Sequence, residues 1–404
     1  MNADGLPGIR RAPQPLPVEV EYVLAPARVL RRPPKGEGLE QSLLARGWAA
    51  RHPLVHHGGL MLTRPVYHRI LVGLITLSLT VVPRLKGQEK QTVTTPQGVE
   101  LEPTAEGLRL VHAKESFSTL SLEGSDLKPR EPLSTDHESN SDFLRELVRL
   151  QCRPSDPIDM YVIRPPKIKN PPVVLYLYGF PSELDRFRDN NYAARLVSNG
   201  AAAVGFVSNR TGYRAEHHPF KEWFVRVLPE SLATTVHDVQ LILNYLATRG
   251  DLDMSRVGIF GQGSGGAIAI LAAAADPRIK ALDLLDPWGD WPDWLAKSQL
   301  LLKDDTNYCL KPDFLKSVEP LEPVRYLPKL DSRAIRIQFQ EDQVGYVKAA
   351  AAKLEAAAPA SSKIVHYPTG PALYAVLSGG RLFEWIATAL KSEPETKQAA
   401  AAAK

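Results

Sequence analysis

The sequence predicts an α/β fold: a doubly wound, mostly parallel sheet with an inserted lid and an N-terminal extension. Two observations predict it. From Asp159 onwards, short apolar runs of the kind that parallel sheets bury on both faces alternate with helical patterns. Residues 256–270 then read RVGIFGQGSGGAIAI, which is typical of a strand, a sharp glycine turn and an apolar helix.

The predicted elements of this domain, residues 151–392, follow one another in a regular order. The strands are 159–165, 173–179, 202–208, 256–261, 280–286, 334–340 and 363–368, and the helices are 183–198, 229–249, 264–275, 344–357 and 373–390. The stretch 287–330 interrupts the order with WGDWPDWL and several prolines, and we expect it to form a lid. Residues 88–150 predict a small lead-in of short strands and one helix, SDFLRELVRLQ, capped by Ser141.

The charge of the chain is unevenly distributed. The formal net charge is +4 over 404 residues. Residues 1–60 contain 8 Lys or Arg against 5 Asp or Glu, and residues 61–87 contain 4 and none. The remainder is mildly acidic, so its charge gives no reason to expect nucleic acid as a partner.

The basic stretch 61–87 has the layout of a secretory signal peptide. Positive residues near Arg64 and Arg69 precede an apolar run over 70–82, and a small residue, Gly87, precedes polar sequence. We therefore expect a periplasmic or secreted protein, and the alternative is a membrane anchor formed by an uncleaved 70–82 segment.

The two ends of the chain are expected to lie outside the folded part. Residues 1–60 are rich in proline and arginine, and they are either a disordered arm or lie upstream of a true start at Met61. Residues 393–404 are predicted to be a disordered tail. Cys152 and Cys309 could pair in an oxidising compartment, and two free buried thiols are an equal alternative.

The glycine turn resembles a nucleophile elbow that lacks its nucleophile. In the pattern G-x-S-x-G, the serine occupies a strained turn that lifts its hydroxyl above the sheet. Gly261 and Gly265 match the flanking glycines, but the central residue is Gly263, and Ser264 follows one position late.

The span from about 150 to 390 is similar to α/β-hydrolases of the esterase or dienelactone-hydrolase kind. The resemblance implies an oxyanion loop at Gly179 and Phe180, after the strand VVLYLYG, and a catalytic acid at Asp342 in FQEDQVGY. It also implies a histidine after the last strand. There the chain reads Gly370, Pro371 and Ala372, and we take Pro371 as the degenerate histidine position.

These departures predict a scaffold with weak or absent chemistry. Ser264 does not simply replace the missing serine, because Gln262 would then lie two residues before the nucleophile, where a small side chain is needed. The backbone N–H of Ser264 belongs to the implied oxyanion hole. Loss of serine and histidine costs about 10⁶-fold in rate. We expect an exported protein of serine-esterase ancestry.

Two alternatives remain open. The first is an active esterase that uses Ser264 with an unusual base, His217 or His218. The second is an NAD(P)-binding protein, because Gly261, Gly263 and Gly266 also spell G-x-G-x-x-G between a strand and a helix. Asp286 would then be the acid that binds the ribose.

The remaining candidates concern ligands and packing. Tyr178, Trp288 and Trp291 are expected to frame a pocket for an acyl or ester ligand, with Trp294 on the same stretch. The alternative is that the tryptophans pack the lid onto the sheet. His366 is predicted to be structural, and His237 to lie at the surface or cap a helix. The sequence contains no metal motif and no P-loop, so we expect no metal and no cofactor.

Overall fold

A computed structural model of the chain describes residues 93–94, 100–104, 107–110, 115–122, 125, 127, 131–153, 156–180, 184–216, 224–378 and 381–391. Residues 1–60, 61–87 and 393–404 lie outside the described residues, as do His217 and His218. Within the described part, no helix combines the length and the apolar character that a membrane crossing requires.

A nine-stranded sheet forms the larger of two compact units. Its strand order is β12-β11-β10-β9-β7-β8-β6-β5-β4. The six strands from β7 to β12 run parallel, and β4, β5 and β6 add an antiparallel edge. The strands are β4 (Leu133–Ser139), β5 (Leu144–Arg153), β6 (Asp156–Arg164), β7 (Pro172–Leu177), β8 (Ala202–Phe206), β9 (Asp253–Gln262), β10 (Ile279–Leu285), β11 (Ala334–Gln340) and β12 (Lys363–Tyr367).

The smaller unit contains most of a three-stranded sheet. Its strands, in the order β1-β2-β3, are β1 (Val93–Thr94), β2 (Glu100–Thr104) and β3 (Gly107–Leu110).

Helices connect the parallel strands, as an α/β sheet requires. They are α1 (Asn190–Val197), α2 (Gly212–Glu216), α3 (Leu228–Ala247), α4 (Ser264–Ala275), α5 (Trp291–Lys297), α6 (Lys303–Cys309), α7 (Pro312–Val318), α8 (Pro323–Tyr326), α9 (Lys348–Ala357), α10 (Gly370–Ser378) and α11 (Glu384–Ala389). The predicted fold class, a doubly wound and mostly parallel sheet, is confirmed.

The helix predicted from Ser141 is wrong: this stretch forms strand β5. Val148, Leu150 and Cys152 are buried, whereas Arg149 between them is exposed, which is the two-residue period of a strand. The apolar residues also recur at three and four positions, so the sequence pattern fitted a helix. Pairing with β4 on one side and β6 on the other decides the outcome, and the sheet therefore begins before residue 151.

The core lies on both faces of the sheet and is densest around α4. This helix is apolar on all sides, and most of its residues from Ser264 to Ala273 are buried. It packs between the sheet, helix α3 and the segment 287–330. Its first residue is therefore held in place on every side, and this position is where the candidate site begins.

The segment 287–330 folds into four short helices, α5 to α8, that pack on the body. Glu322 fixes their start, because its carboxylate accepts hydrogen bonds from the backbone N–H groups of Asp290 and Trp291, both at 2.7 Å. Cys152 and Cys309 are free thiols, and both are buried.

Candidate active site

The turn between β9 and α4 has the geometry of a nucleophile elbow. Gly263 has φ 57° and ψ −121°, a conformation that strains any residue with a side chain. Its N–H donates to the carbonyl of Leu285 at 2.9 Å, and its carbonyl accepts from Trp288 N at 3.1 Å. These bonds tie the turn to the end of β10, where a nucleophile would stand above the sheet.

The glycines that flank the turn are required by close backbone contacts. A Cβ at Gly265 would lie 2.0 Å from the carbonyl oxygen of Leu177, and one at Gly261 would lie 2.5 Å from the carbonyl oxygen of Gly265. Neither position accepts a side chain without backbone movement. The pattern G-x-x-x-G is therefore a packing requirement between β7, β9 and α4, independent of any reaction.

Ser264 points into the protein. It is fully buried, and its Oγ accepts a hydrogen bond from the Phe180 N–H at 3.0 Å. That N–H is the donor that the sequence assigned to the oxyanion hole. A substrate oxygen would have to displace the Ser264 hydroxyl before it could accept this hydrogen bond. Ser264, the alternative nucleophile, therefore occupies the place where the oxyanion of the substrate would bind.

Asp342 reaches the start of helix α10 rather than a histidine. Its Oδ2 accepts from the Gly370 N–H at 2.9 Å, and its Oδ1 accepts from Gln340 Nε2 at 2.8 Å. These hydrogen bonds, with the one from Gly370 the stronger, hold the pKa of Asp342 below its ordinary value. The exposed carboxylate acts here as a helix cap.

A side chain at Gly370 would be directed toward Asp342. A Cβ at this position would lie 3.9 Å from Asp342 Oδ2 and 3.2 Å from Gln340 Nε2. Pro371, one residue later, is exposed, and Ala372 is half-buried. The structure thus brings Asp342 next to Gly370, in the stretch where the histidine was expected.

Aromatic side chains cover the elbow. A Cβ at Gly263 would lie 3.3 Å from Trp288 Nε1. Phe224 stacks on Phe180 with ring centroids 4.8 Å apart, and Trp288 stands 4.1 Å from Trp294. Phe224, Trp288 and Trp294 are each buried. The space above the turn is therefore lined by packed rings.

The other predicted pocket residues lie elsewhere. Trp291 is buried in the main hydrophobic core, and its indole N–H donates to Leu321 O at 2.8 Å, a hydrogen bond within the segment 287–330. Tyr178 joins the hydrophobic cluster on the opposite face of the sheet, and its hydroxyl contacts that of Tyr192. Only Trp288, of the three predicted pocket residues, contacts the elbow.

Asp286 is a site residue whose role sequence reasoning missed. It ends β10 with φ 47°, unusual for a residue with a side chain, and its Oδ1 accepts from Gln340 N at 2.6 Å. Burial, with Asp342 nearby, raises its pKa to about 7. The signal in the sequence was its position at the end of a buried strand beside the elbow. The sequence alone assigns it only the role of a ribose ligand in the NAD(P)-binding alternative.

The three histidines in the described ranges contact residues outside the turn between β9 and α4. His137 contacts Ser134, and His366 on β12 pairs with Glu341 at 3.1 Å. The expectation that His237 lies at the surface or caps a helix is wrong. It is 1% exposed in the middle of α3, and it contacts Glu115.

Comparison with solved structures bears on the fold of the chain. A solved acetyl xylan esterase from Paenibacillus sp. R4 has a TM-score of 0.50 to this structure at 14% identity, covering 62% of this chain and 88% of that one. Acetyl xylan esterase 1 from Thermoanaerobacterium sp. JW/SL YS485 has a TM-score of 0.47 at 15% identity, covering 64% and 89%. The likeness to the first of these structures, together with the strand order of the large sheet, shows an α/β-hydrolase fold.

The sequence comparison finds a relative whose name describes it as a hydrolase. A Bacillus subtilis (strain 168) protein named "Putative hydrolase YtaP" is 26% identical over 195 residues, which are 43% of this chain. The matched region spans 62% of the length of that relative. No family model matches the chain.

Proposed function

We propose that this chain is an exported α/β-hydrolase-fold protein of serine-esterase ancestry whose own ester hydrolysis is weak or absent. The observation that carries the proposal is the elbow. Its backbone has the strained conformation of a nucleophile elbow, yet Gly263 has no side chain that could act as a nucleophile. The hydroxyl of Ser264 accepts the hydrogen bond of the Phe180 N–H.

Two losses lower the expected rate of ester hydrolysis. Removing the nucleophile and the base costs about 10⁶-fold in rate. What a triad-less hydrolase retains comes from its oxyanion hole, and loss of one donor there costs roughly 10²- to 10³-fold more. Because Ser264 Oγ already accepts from Phe180 N, this protein lacks most of that residual contribution as well.

The proposal assigns the missing histidine to Gly370. A Cβ there would lie 3.9 Å from the carboxylate of Asp342. At this distance an imidazole N–H could donate to that carboxylate, which would orient the ring. Pro371, the position expected from the sequence, is the competing assignment and is tested beside it.

Hydrolysis of p-nitrophenyl acetate by the full chain tests the proposal. We expect background rates from the parent protein. Gly263→Ser/Gly370→His should show burst-phase acylation, and adding Ser264→Ala should raise it by about 10²-fold because the oxyanion donor is released. Gly263→Ser/Pro371→His is the matched control, and a burst from it alone would return the histidine position to Pro371.

The opposite result is equally clear. Turnover by the parent that Ser264→Ala abolishes would establish the active-esterase alternative and overturn the proposal. The nicotinamide alternative predicts that NAD(H) at a hundred times its dissociation constant adds about 2.7 kcal/mol to stability. We expect no such gain, because the carboxylate of Asp286 already accepts the Gln340 N–H.

A ligand of the acyl or ester type is the partner that we propose, supported by the fold shared with an acetyl xylan esterase. Binding would require Trp288 to move from Gly263, so an acetylated xylo-oligosaccharide should change the tryptophan fluorescence of the parent protein and that of Trp288→Phe to different extents. Export is proposed from the signal-like stretch 61–87, and fractionation of the full chain tests it.

A further inference from the structure

A buried network of ion pairs joins residues 115–122 to helix α3. Arg153 binds Glu115 at 2.7 Å and also pairs with Asp238. Arg214 binds Asp156 and Asp238, both at 2.7 Å. All five side chains are buried. The network belongs to the larger unit and takes no part in the candidate active site.

His237 completes this network with a geometry that requires two protons. Its Nδ1 lies 2.7 Å from Glu115 Oε1, and its Nε2 lies 3.0 Å from the backbone oxygen of Thr119. Both partners are acceptors. A neutral imidazole carries one N–H, so it can serve only one of them, whereas the imidazolium ion serves both. With 1% of the residue exposed, no bulk water can substitute for a lost partner.

The charge count of the network agrees with this assignment. Two guanidinium groups, Arg153 and Arg214, face three carboxylates, which are Glu115, Asp156 and Asp238. A protonated His237 supplies the missing positive charge. Burial opposes ionisation of Glu115, yet the hydrogen bonds from His237 and Arg153 lower its pKa to about 2, so the segment presents a carboxylate to the ring.

The same helix face holds the rest of the segment. Gln240, three residues after His237, donates to the Leu120 carbonyl at 2.7 Å and accepts from the Leu122 N–H at 3.3 Å. Leu120 and Leu122 pack against the hydrophobic core below. His237 and Gln240 therefore bind the segment at two points, and of these only His237 can gain or lose a proton.

We propose that His237 is a proton-dependent latch that fastens residues 115–122 to helix α3. With the proton present, both ring nitrogens donate and the network is neutral. When that second proton is lost, one ring nitrogen presents a lone pair to an acceptor, either the carboxylate of Glu115 or the carbonyl of Thr119, while Glu115 keeps its hydrogen bonds from Arg153 at 2.7 and 2.8 Å. The segment then loosens at His237, and the grip of Gln240 on Leu120 and Leu122 remains.

Hydrogen exchange of the full chain between pH 6 and pH 9 tests the latch. After correction for the intrinsic base-catalysed rate, protection of the amides at 119–121 should fall by roughly tenfold or more as the pH rises, whereas the Leu122 amide, which Gln240 holds, should change least. His237→Gln, which can donate to one acceptor only, should lower protection at pH 6 and remove the pH dependence. Constant protection across this range, or an unchanged dependence in His237→Gln, would overturn the proposal.

His366→Gln is the matched control. This histidine also has an acceptor at each ring nitrogen, the carboxylates of Glu341 at 3.1 Å and Glu355 at 3.3 Å, but it is exposed and lies on β12, away from residues 115–122. Its replacement should leave the exchange profile unchanged. Nitrogen-15 NMR of the His237 ring in the parent protein gives a test that needs no variant at position 237: two N–H groups at pH 6 are expected, and a single tautomer there would refute the latch.

Discussion

The candidate site consists of two parts that differ in how tightly they are packed. In the first part, at the β9–α4 turn, Gly263 and Ser264 are surrounded by tight backbone contacts, and Ser264 is fully buried. In the second part, at the ends of β11 and β12, Asp342 is exposed and caps helix α10 through Gly370.

Packing explains the difference. At the first part, Gly265 lies so close to Leu177 that the turn must keep its shape whatever chemistry it performs. At the second part, the nearest atom to a Cβ at Gly370 belongs to the flexible side chain of Gln340. Packing alone therefore requires the glycines of the first part, whereas packing at the second part does not require a particular side chain at position 370.

Asp286 joins the two parts, and it gives the largest predicted effect. Its folded-state pKa of about 7 lies above the ordinary value of 3.8, so the folded protein holds this proton more tightly than the unfolded chain. The associated stability is fully present below pH 3.8 and is lost as the pH rises through 7, to a total on the order of 4 kcal/mol. Asp286→Asn should be more stable than the parent at pH 8.

Urea unfolding of both proteins at several pH values measures this difference. The asparagine retains an oxygen to accept the Gln340 N–H, so the comparison isolates the charge. The gain should shrink toward zero as the pH approaches 4. A difference that does not change with pH would mean that Asp286 is not the group that titrates between the two parts.

Two alanine substitutions compare the packing of the parts directly. Gly265→Ala should destabilise the protein by about 3 kcal/mol, because its Cβ would meet a backbone oxygen 2.0 Å away. Gly370→Ala should cost less than about 1 kcal/mol, because Gln340 can turn aside. Denaturation midpoints measure both, and equal costs would show that the second part is as constrained as the first.

Sequence reasoning worked best where local pattern and burial coincide. Helix α4 was predicted with its observed bounds, Ser264–Ala275, since an apolar helix after a glycine turn has few alternatives. It failed at β5, where Leu144–Arg153 satisfies both a helical and a strand period and pairing with β4 and β6 decides between them.

The site was harder to predict from the sequence than the fold, because its contacts join residues far apart in the chain. Phe180 and Ser264 are 84 positions apart, and nothing in either local sequence indicates that one donates to the other. His237 and Glu115 are 122 positions apart, so a helix-centred pattern could not show that this histidine is buried. The motifs identified the positions of the candidate residues, and only the fold showed which residues their side chains contact.

The smallest predicted effects concern the two polar groups that remain in the site. Ser264→Ala removes the hydroxyl that accepts from the Phe180 N–H and should cost about 1 kcal/mol at every pH. Asp342→Asn should act differently. The lowered pKa of Asp342 means that its contribution is present above the ordinary value and is lost as the pH falls through the folded value, so the variant should differ from the parent at neutral pH and match it in acid. Thermal unfolding at pH 7 and pH 3 separates the two cases. Were Ser264→Ala also to converge with the parent in acid, the hydroxyl would be coupled to a titrating group, and the first part would still contain a working proton acceptor.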